Sequence, residues 1–205
     1  MFYYLEGNVS IIAQNLAVVD IGGVGYDCKV TLNTIKYLEV GKKARLYTYC
    51  NIKEDVFDIY GFYDLSEKRC FELLLSVSGV GPKAALSILS ASTPESLALA
   101  IVNNDKSALL LAPGIGKKIA SRIVLELKDK VSKETALIKT EVVPSLDGSD
   151  LMGSESPGSK QQNAAAALAV LGYSQGEISA FMRKIDITTL TVEEIIREAL
   201  KGSVK

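Results

Sequence analysis

The chain has 205 residues, of which 48% are hydrophobic and 23% charged, so it is long and apolar enough for one to three small globular domains. It contains no histidine, which excludes Ser-His-Asp and Cys-His catalysis and removes the commonest transition-metal ligand. Its three cysteines, Cys28, Cys50 and Cys70, form no C-x-x-C pair. We therefore expect free thiols in a reducing cytosol, with no zinc site and no cofactor.

The charge of the chain is unevenly distributed. The net charge is only -1, but residues 64–131 hold nine Lys or Arg against seven Asp or Glu, whereas acidic residues predominate on both sides of this region. The N-terminal segment has no basic start and no long apolar run. We therefore expect neither a signal peptide nor a membrane span, and we favour binding over chemistry as the function of the basic region.

Residues 1–62 predict a small all-β unit. Leu16–Ile21 forms an apolar run, glycines follow at Gly22, Gly23 and Gly25, and Tyr26–Val30 alternates between polar and apolar residues. Further β-rich runs cover residues 44–52 and 56–62. About five strands in such a length fit a barrel of the OB type better than a sandwich.

A hairpin tip is predicted between the last two of these runs. It contains Lys53, Glu54 and Asp55. Adjacent carboxylates in a turn are ordinarily just solvated residues. Beside a DNA-binding element, however, they would repel phosphates and so favour one DNA shape over another.

The central region contains an internal repeat. Val77–Ala85 recurs 35 positions later as Ala112–Ala120, and helical apolar patterns flank each copy. Each copy predicts a helix, a glycine-apolar-glycine turn and a second helix. Such a turn exposes backbone N–H groups at the positive start of a helix, where an anion is favoured. Basic residues follow both turns, with Lys117, Lys118 and Arg122 clustered at the second.

Other glycine motifs fit this repeat poorly. An NTPase phosphate loop requires Ser or Thr after its lysine, but Ile119 follows Lys118. A dinucleotide-binding fingerprint requires a preceding strand, whereas residues 70–76 have helical character. Each turn alone could simply join two packed helices. Its duplication with the lysines favours two contacts to a nucleic-acid backbone, without recognition of base sequence.

Capping signals predict further helices. Pro82 suits the first turn of one helix, and Thr93 with Pro94 predicts the start of the next. Residues 140–160 are rich in Ser, Gly, Pro and acidic residues and predict a flexible linker. Beyond it we predict three short helices, from a helical run over residues 164–171 and two capping boxes over residues 174–177 and 191–194. A small tethered domain of this kind indicates a docking module.

In combination, these features resemble the bacterial RuvA family of Holliday-junction-binding proteins. The resemblance rests on Lys53–Phe62, Ser78–Lys83, Pro113–Ala120 and Ala169–Tyr173, in this order and at this spacing. It implies an α+β chain with an OB-type barrel in residues 1–63 and a tandem helix-hairpin-helix domain in residues 64–139. A flexible linker in residues 140–159 and a three-helix domain in residues 160–205 complete it.

The resemblance also implies a function and its residues. A homotetramer would hold a four-way DNA junction open as a flat square, although one or two tetramers could enclose it. Glu54 and Asp55, here called the acidic pin, would lie at the junction centre. The implied DNA contacts are Gly79, Val80, Gly81, Lys83, Gly114, Ile115, Gly116, Lys117, Lys118 and Arg122. The first strand lacks the basic residues that are frequent in the family, so we assign it no DNA contacts.

The resemblance implies protein partners as well. The last domain would bind RuvB, the hexameric ATPase motor of branch migration, through residues that include Leu168, Leu171, Tyr173 and Leu200. RuvC, a resolving nuclease, would be a further partner. The chain itself would have no catalytic residues.

Two other classes of DNA-binding protein fit the sequence less well. A base-excision glycosylase uses one hairpin and needs a base pocket with a catalytic acid or lysine. A structure-specific nuclease needs clustered carboxylates for magnesium, and Glu54 and Asp55 alone supply too few.

Overall fold

A computed structural model describes the backbone of residues 1–138, 157–185 and 189–202 and the side chains of residues 1–128, 160–185 and 189–201. Within these ranges, five strands and a short helix α1 (Leu32–Ile35) form the N-terminal unit. The strands are β1 (Tyr4–Ala13), β2 (Leu16–Ile21), β3 (Val24–Val30), β4 (Lys43–Lys53) and β5 (Val56–Phe62). They close a barrel in the order β1-β2-β3-β5-β4, with only β3 and β5 parallel. The predicted OB-type barrel is therefore confirmed, and the sandwich is excluded.

The barrel core is formed by alternate residues of its strands. The fully buried members include Val9 of β1, Val19 of β2, Val30 of β3 and Leu46 of β4. This inward and outward alternation is the one expected of a closed sheet. The β4–β5 hairpin extends beyond the core, because its last buried pair is Cys50 and Ile59, well before the turn.

The central unit is helical, as predicted. It contains α2 (Leu65–Leu75), α3 (Pro82–Ala91), α4 (Pro94–Val102), α5 (Ser107–Leu110) and α6 (Lys117–Ile138). Pro82 and Pro94 lie in the first turns of their helices, and the Thr93 side chain accepts a hydrogen bond from the N–H of Ser96. The predicted helix starts are therefore confirmed.

A buried carboxylate joins the barrel to the central unit. Glu67 of α2 is 3% exposed and accepts hydrogen bonds of 2.5 Å from the hydroxyls of Thr31 and Thr34. Desolvation by burial raises the pKa of the Glu67 carboxyl to about 7. Nearby, the Asn33 amide donates to the carbonyl oxygen of Leu89 at 2.7 Å. These contacts fix the barrel, and with it the hairpin, relative to the helices.

The C-terminal unit contains α7 (Pro157–Val170), α8 (Gln175–Met182) and α9 (Val192–Gly202). Both predicted capping boxes are confirmed by hydrogen bonds within residues 174–177 and 191–194. The unit packs on α4 through α7 and α9, and its apolar core continues into that of the central unit. The predicted linker lies outside the described residues, except that α7 already begins at Pro157.

Candidate nucleic-acid interface

The first glycine turn has an exposed backbone held by a buried apolar residue. Gly79 and Gly81 are exposed, and Gly79 has φ +87°. Between them the Val80 side chain is buried, and its N–H donates to the carbonyl oxygen of Val77. No side chain caps the N-terminus of α3. The first amide groups of α3 are therefore directed towards solvent at the positive end of the helix.

The second turn repeats this geometry 35 positions later. Gly114 has φ +84°, and the N–H of Ile115 donates to the carbonyl oxygen of Ala112. The Ile115 side chain is buried, as Val80 is in the first turn. The N–H of Ala120 donates to Gly116, as that of Ala85 donates to Gly81. The repeat seen in the sequence is therefore a repeat of backbone hydrogen bonds.

The surface of both turns is open to a ligand. A Cβ atom placed on Gly81, Gly114 or Gly116 would have no heavy atom within 4 Å apart from those of its neighbours in the chain. The side chains of Lys83, Lys117 and Lys118 are exposed beside the turns. Exposed amides and lysines at a helix start are the groups that bind phosphate. Val80 and Ile115 differ from the other residues assigned to DNA contact, because their side chains anchor the turns from within.

Hydrogen bonds cross between the two repeats in both directions. The Arg122 guanidinium of α6 donates to the carbonyl oxygen of Ser78 in the first turn at 3.1 Å. The Ser87 hydroxyl of α3 donates to the carbonyl oxygen of Pro113 in the second turn at 2.8 Å. The sequence indicated only a DNA contact for Arg122 at the second turn, but its side chain also supports the first turn. Glu126 adds to this contact by accepting a hydrogen bond from the N–H of Ser78.

Ser87 and Glu126 are not among the residues predicted from the sequence, and Ser78 was predicted only as part of the first turn, without a contact to the second copy. The sequence did contain one signal for the pair of hydrogen bonds from Arg122 and Ser87. Arg122 and Ser87 are separated by the same 35 positions as Pro113 and Ser78. Recognising the contact required the packing of the two helices, which the repeat alone does not specify.

The acidic pin lies at the tip of the β4–β5 hairpin, as predicted. Lys53 pairs with Val56 as the last register position, so Glu54 and Asp55 form the turn between them. Both carboxylates are exposed. No ion pair or hydrogen bond found among the described side chains neutralises either of them. The tip therefore presents two uncompensated negative charges.

A groove of about 520 Å³ joins the pin to the first turn. Asp55 lines one part of it, and Gly81 and Lys83 line another. On its floor the Lys29 ammonium contacts Asp58 at 2.6 Å. The hydrogen bond from Lys29 lowers the pKa of the Asp58 carboxyl, and the charge of Lys83 contributes in the same direction. The groove is thus lined both by the cationic Lys83 and by the anionic Asp55 of the pin.

The residues assigned to a protein partner are covered in this structure. Leu168, Leu171, Tyr173 and Leu200 are each 5% exposed or less. The Tyr173 ring also contacts the Arg69 guanidinium of α2 at 4.6 Å from the ring centroid. These side chains contribute to the core shared with the central unit. Their assignment to partner binding stays a prediction.

Metal-ion clusters, membrane-spanning helices and disulfides are absent from the part of the chain that the structure describes. In that part, no three His, Cys, Asp or Glu side chains are grouped so that they could hold a metal ion. No single described helix has both the length and the apolar character to cross a bilayer; α3 and α4 meet those criteria only jointly, and they are bent by 97°. Cys28, Cys50 and Cys70 are free and buried.

Family models match three regions of the chain. Residues 1–61 match the RuvA N-terminal domain, residues 71–129 match a SAM-like helix-hairpin-helix tandem, and residues 159–204 match the RuvA C-terminal domain. The three matches follow the barrel, the helical repeat and the C-terminal helices.

Curated proteins from several bacteria are similar over their full lengths. The one from Acetivibrio thermocellus is 43% identical over 203 residues, 98% of each chain. Those from Thermoanaerobacter sp. and Geobacter sulfurreducens are 41% and 38% identical and cover 100% of both chains. All three are named Holliday junction branch migration complex subunit RuvA.

Proposed function

The chain belongs to the RuvA family, and we propose that it binds four-way DNA junctions irrespective of base sequence and holds them open for branch migration. The observation that supports this most directly is the reciprocal pair of hydrogen bonds from Arg122 and Ser87, which fixes two phosphate-binding turns relative to each other. Contacts from such turns to the phosphates of the DNA backbone position the DNA and carry no sequence information. A protein that follows a moving crossover needs this neutrality.

The acidic pin provides the preference for a junction. A continuous duplex bound at the first turn would bring its phosphates towards Asp55, which lines the same groove as Lys83, and towards the adjacent Glu54. A junction instead has an opening between its arms, into which the pin fits. Repulsion of the wrong DNA shape thus adds specificity to contacts that are themselves unspecific.

The remaining parts of the proposal concern assembly. A homotetramer would surround the junction centre with four pins and bind its arms through two turns in each subunit. The C-terminal unit would recruit RuvB, which supplies ATP hydrolysis, and RuvC would join to resolve the junction. The chain contributes geometry and no catalysis.

The proposal is tested by measuring the affinity of the purified chain for a labelled immobile four-way junction and for a duplex of equal length. We expect a marked preference for the junction that is independent of its base sequence. Equal affinity for the two DNAs would contradict the proposal. Light scattering on the same sample measures the oligomer, and addition of magnesium without RuvC must leave the junction uncut.

A further inference from the structure

An exposed apolar pair lies at the base of the acidic pin, beyond the end of the barrel core. Ile52 and Phe57 are directly opposite each other in β4 and β5, and each is 60% exposed. Because side chains alternate along a strand, this pair shares its face with the buried pair of Cys50 and Ile59. The buried core of the barrel already ends at Cys50 and Ile59. Phe57 is thus a large aromatic residue that lies mostly exposed beyond the barrel core.

Phe57 begins a row of three aromatic rings on the barrel end. Its ring centroid is 6.4 Å from that of Phe2, at an angle of 60°, and Phe2 is 5.8 Å from Tyr26, at 80°. Phe2 is held in place because the Thr48 hydroxyl donates to its carbonyl oxygen at 2.7 Å. The Phe2 side chain keeps 37% of its surface exposed. The row therefore presents a preformed aromatic surface to solvent.

The same phenylalanine borders the groove proposed to bind DNA. Phe57 lines this groove together with Asp55, Gly81 and Lys83. A strand whose phosphate contacts Lys83 would therefore pass close to an aromatic ring. Phosphate ligands combined with exposed aromatic rings are the arrangement by which proteins bind unpaired nucleotides, because the rings stack on the bases.

We propose that Phe57, supported by Phe2, stacks on a nucleobase that has lost its pairing partner at the centre of a bound junction. This inference rests on the proposed junction binding. Stacking suits that place because every base has a π-face, so the contact tolerates any sequence. The pin repels phosphates while the aromatic row receives a base, and the two contacts together orient an unpaired nucleotide at the hairpin.

The test compares Phe57→Leu with the parent chain on two junctions. One junction has mismatched, unpaired bases at its centre, and the other has abasic sites at the same positions. We expect Phe57→Leu to bind the first junction roughly 5- to 150-fold more weakly, the range for removal of one base–aromatic stack, and to match the parent chain on the abasic junction. Phe57→Tyr, which keeps the ring, should bind both junctions like the parent chain.

Tyr37→Leu is the matched control, because Tyr37 is an exposed aromatic residue beside Lys43, at the end of β4 opposite the pin. It should change neither affinity. An equal loss for Phe57→Leu on both junctions, or no loss on either, would overturn the inference, as would dissociation of the oligomer, which would place Phe57 in a subunit contact.

The parent chain's preference for a junction over a duplex is measured alongside. If that preference is present and Phe57→Leu behaves like the parent, only the stacking inference fails; if it is absent, the proposed function fails as well.

Discussion

Arg122 and Ser87 occupy equivalent positions in the two copies of the helical repeat, and each donates a hydrogen bond to the turn of the other copy. The acceptors, Ser78 and Pro113, are equivalent as well. Reciprocal contacts of this kind define an approximate twofold relationship, as in a symmetric dimer interface. The two turns are consequently one preformed unit, and DNA binding does not have to order them separately.

The two glycines of the second turn should respond differently to alanine. Gly114→Ala places a side chain at φ +84°, and we expect it to lower the free energy of unfolding by about 1 kcal/mol. Gly116 has open space and no left-handed backbone, so Gly116→Ala should leave stability within about 0.5 kcal/mol. Both methyl groups lie at the exposed turn and should weaken junction binding. Denaturant titration and gel shift separate the two effects, and full affinity of folded Gly116→Ala would contradict the proposed turn contact.

Junction binding should depend steeply on salt. Two turns in each of four subunits would neutralise about eight phosphates, which predicts a loss of roughly three to five decades of affinity between 50 and 200 mM salt. Lys83→Ala should reduce the slope of log affinity against log salt by about 0.9 for each phosphate that the variant no longer neutralises. Lys42→Ala, before β4 and far along the strand from the pin, should leave the slope unchanged. A nearly flat dependence in the parent chain would exclude the turns as phosphate sites.

Removal of the negative charges of the acidic pin should strengthen binding to continuous duplex DNA. Glu54→Gln combined with Asp55→Asn preserves size and hydrogen bonding, so the exposed hairpin should stay folded. A carboxylate and a phosphate about 4 Å apart repel by about 1 kcal/mol in water-like surroundings, so the affinity for duplex should rise and the preference for junction should fall. Glu39→Gln, an exposed charge outside the pin, is the control. An unchanged ratio of the two affinities in the folded double variant would reduce the pin to a simple turn.

Glu67 should make the stability of the chain depend on pH. Its pKa is raised to about 7 in the folded chain by burial, so the folded state holds this proton more tightly than the unfolded state does. The resulting stabilisation is complete below pH 4.5 and is lost as the pH rises through 7. Between about pH 5 and pH 8 we expect the free energy of unfolding to fall by on the order of 2 to 3 kcal/mol more in the parent chain than in Glu67→Gln.

Denaturant titrations at the two pH values measure this difference. The same substitution at Glu72, an exposed residue of the same helix, provides the control and should keep the pH dependence of the parent chain. If Glu67→Gln also keeps that dependence, Glu67 is not its source.

Deletion of residues 160–205 should separate DNA binding from motor recruitment. The glycine turns and the pin remain in the shortened chain, so its affinity for a junction should change little, whereas stimulation of RuvB ATPase activity should disappear. Stability should fall, because α7 and α9 cover part of α4. Binding is therefore measured at a temperature at which circular dichroism shows the shortened chain folded. Equal loss of both activities in the folded protein would assign the C-terminal unit a structural role.

Local signals in the sequence were sufficient for much of the fold. The glycines at 79 and 114, the prolines at 82 and 94 and the two capping boxes each constrain the backbone of their own segment, and the structure places them as predicted. The hairpin tip at Glu54 and Asp55 followed in the same way from the strand patterns on either side. These features depend on near neighbours in the chain.

Features that depend on distant residues could not be predicted. Glu67 lies in a charged stretch typical of an exposed helix start, yet it is buried by Thr31 and Thr34 from a different unit. The C-terminal helices α7 and α9 pack on α4, whereas the composition of the predicted linker indicated only a flexible tether to a separate domain. Phe57 shows the same limit. Its alternating pattern is that of any strand, and it is exposed because the buried core begins only at Ile59, two residues further along β5.

The reciprocal contact between the repeats also bears on the direction of movement along DNA. The two strands of a duplex run antiparallel and are themselves related by twofold axes, and symmetric proteins exploit this match. If the two turns bind a DNA arm as proposed, each turn would meet one strand of the arm in a similar manner, whichever way the arm is oriented. Advance and retreat of the crossover would then present closely related contacts to the protein, and we expect the bias towards one direction to come from outside this chain.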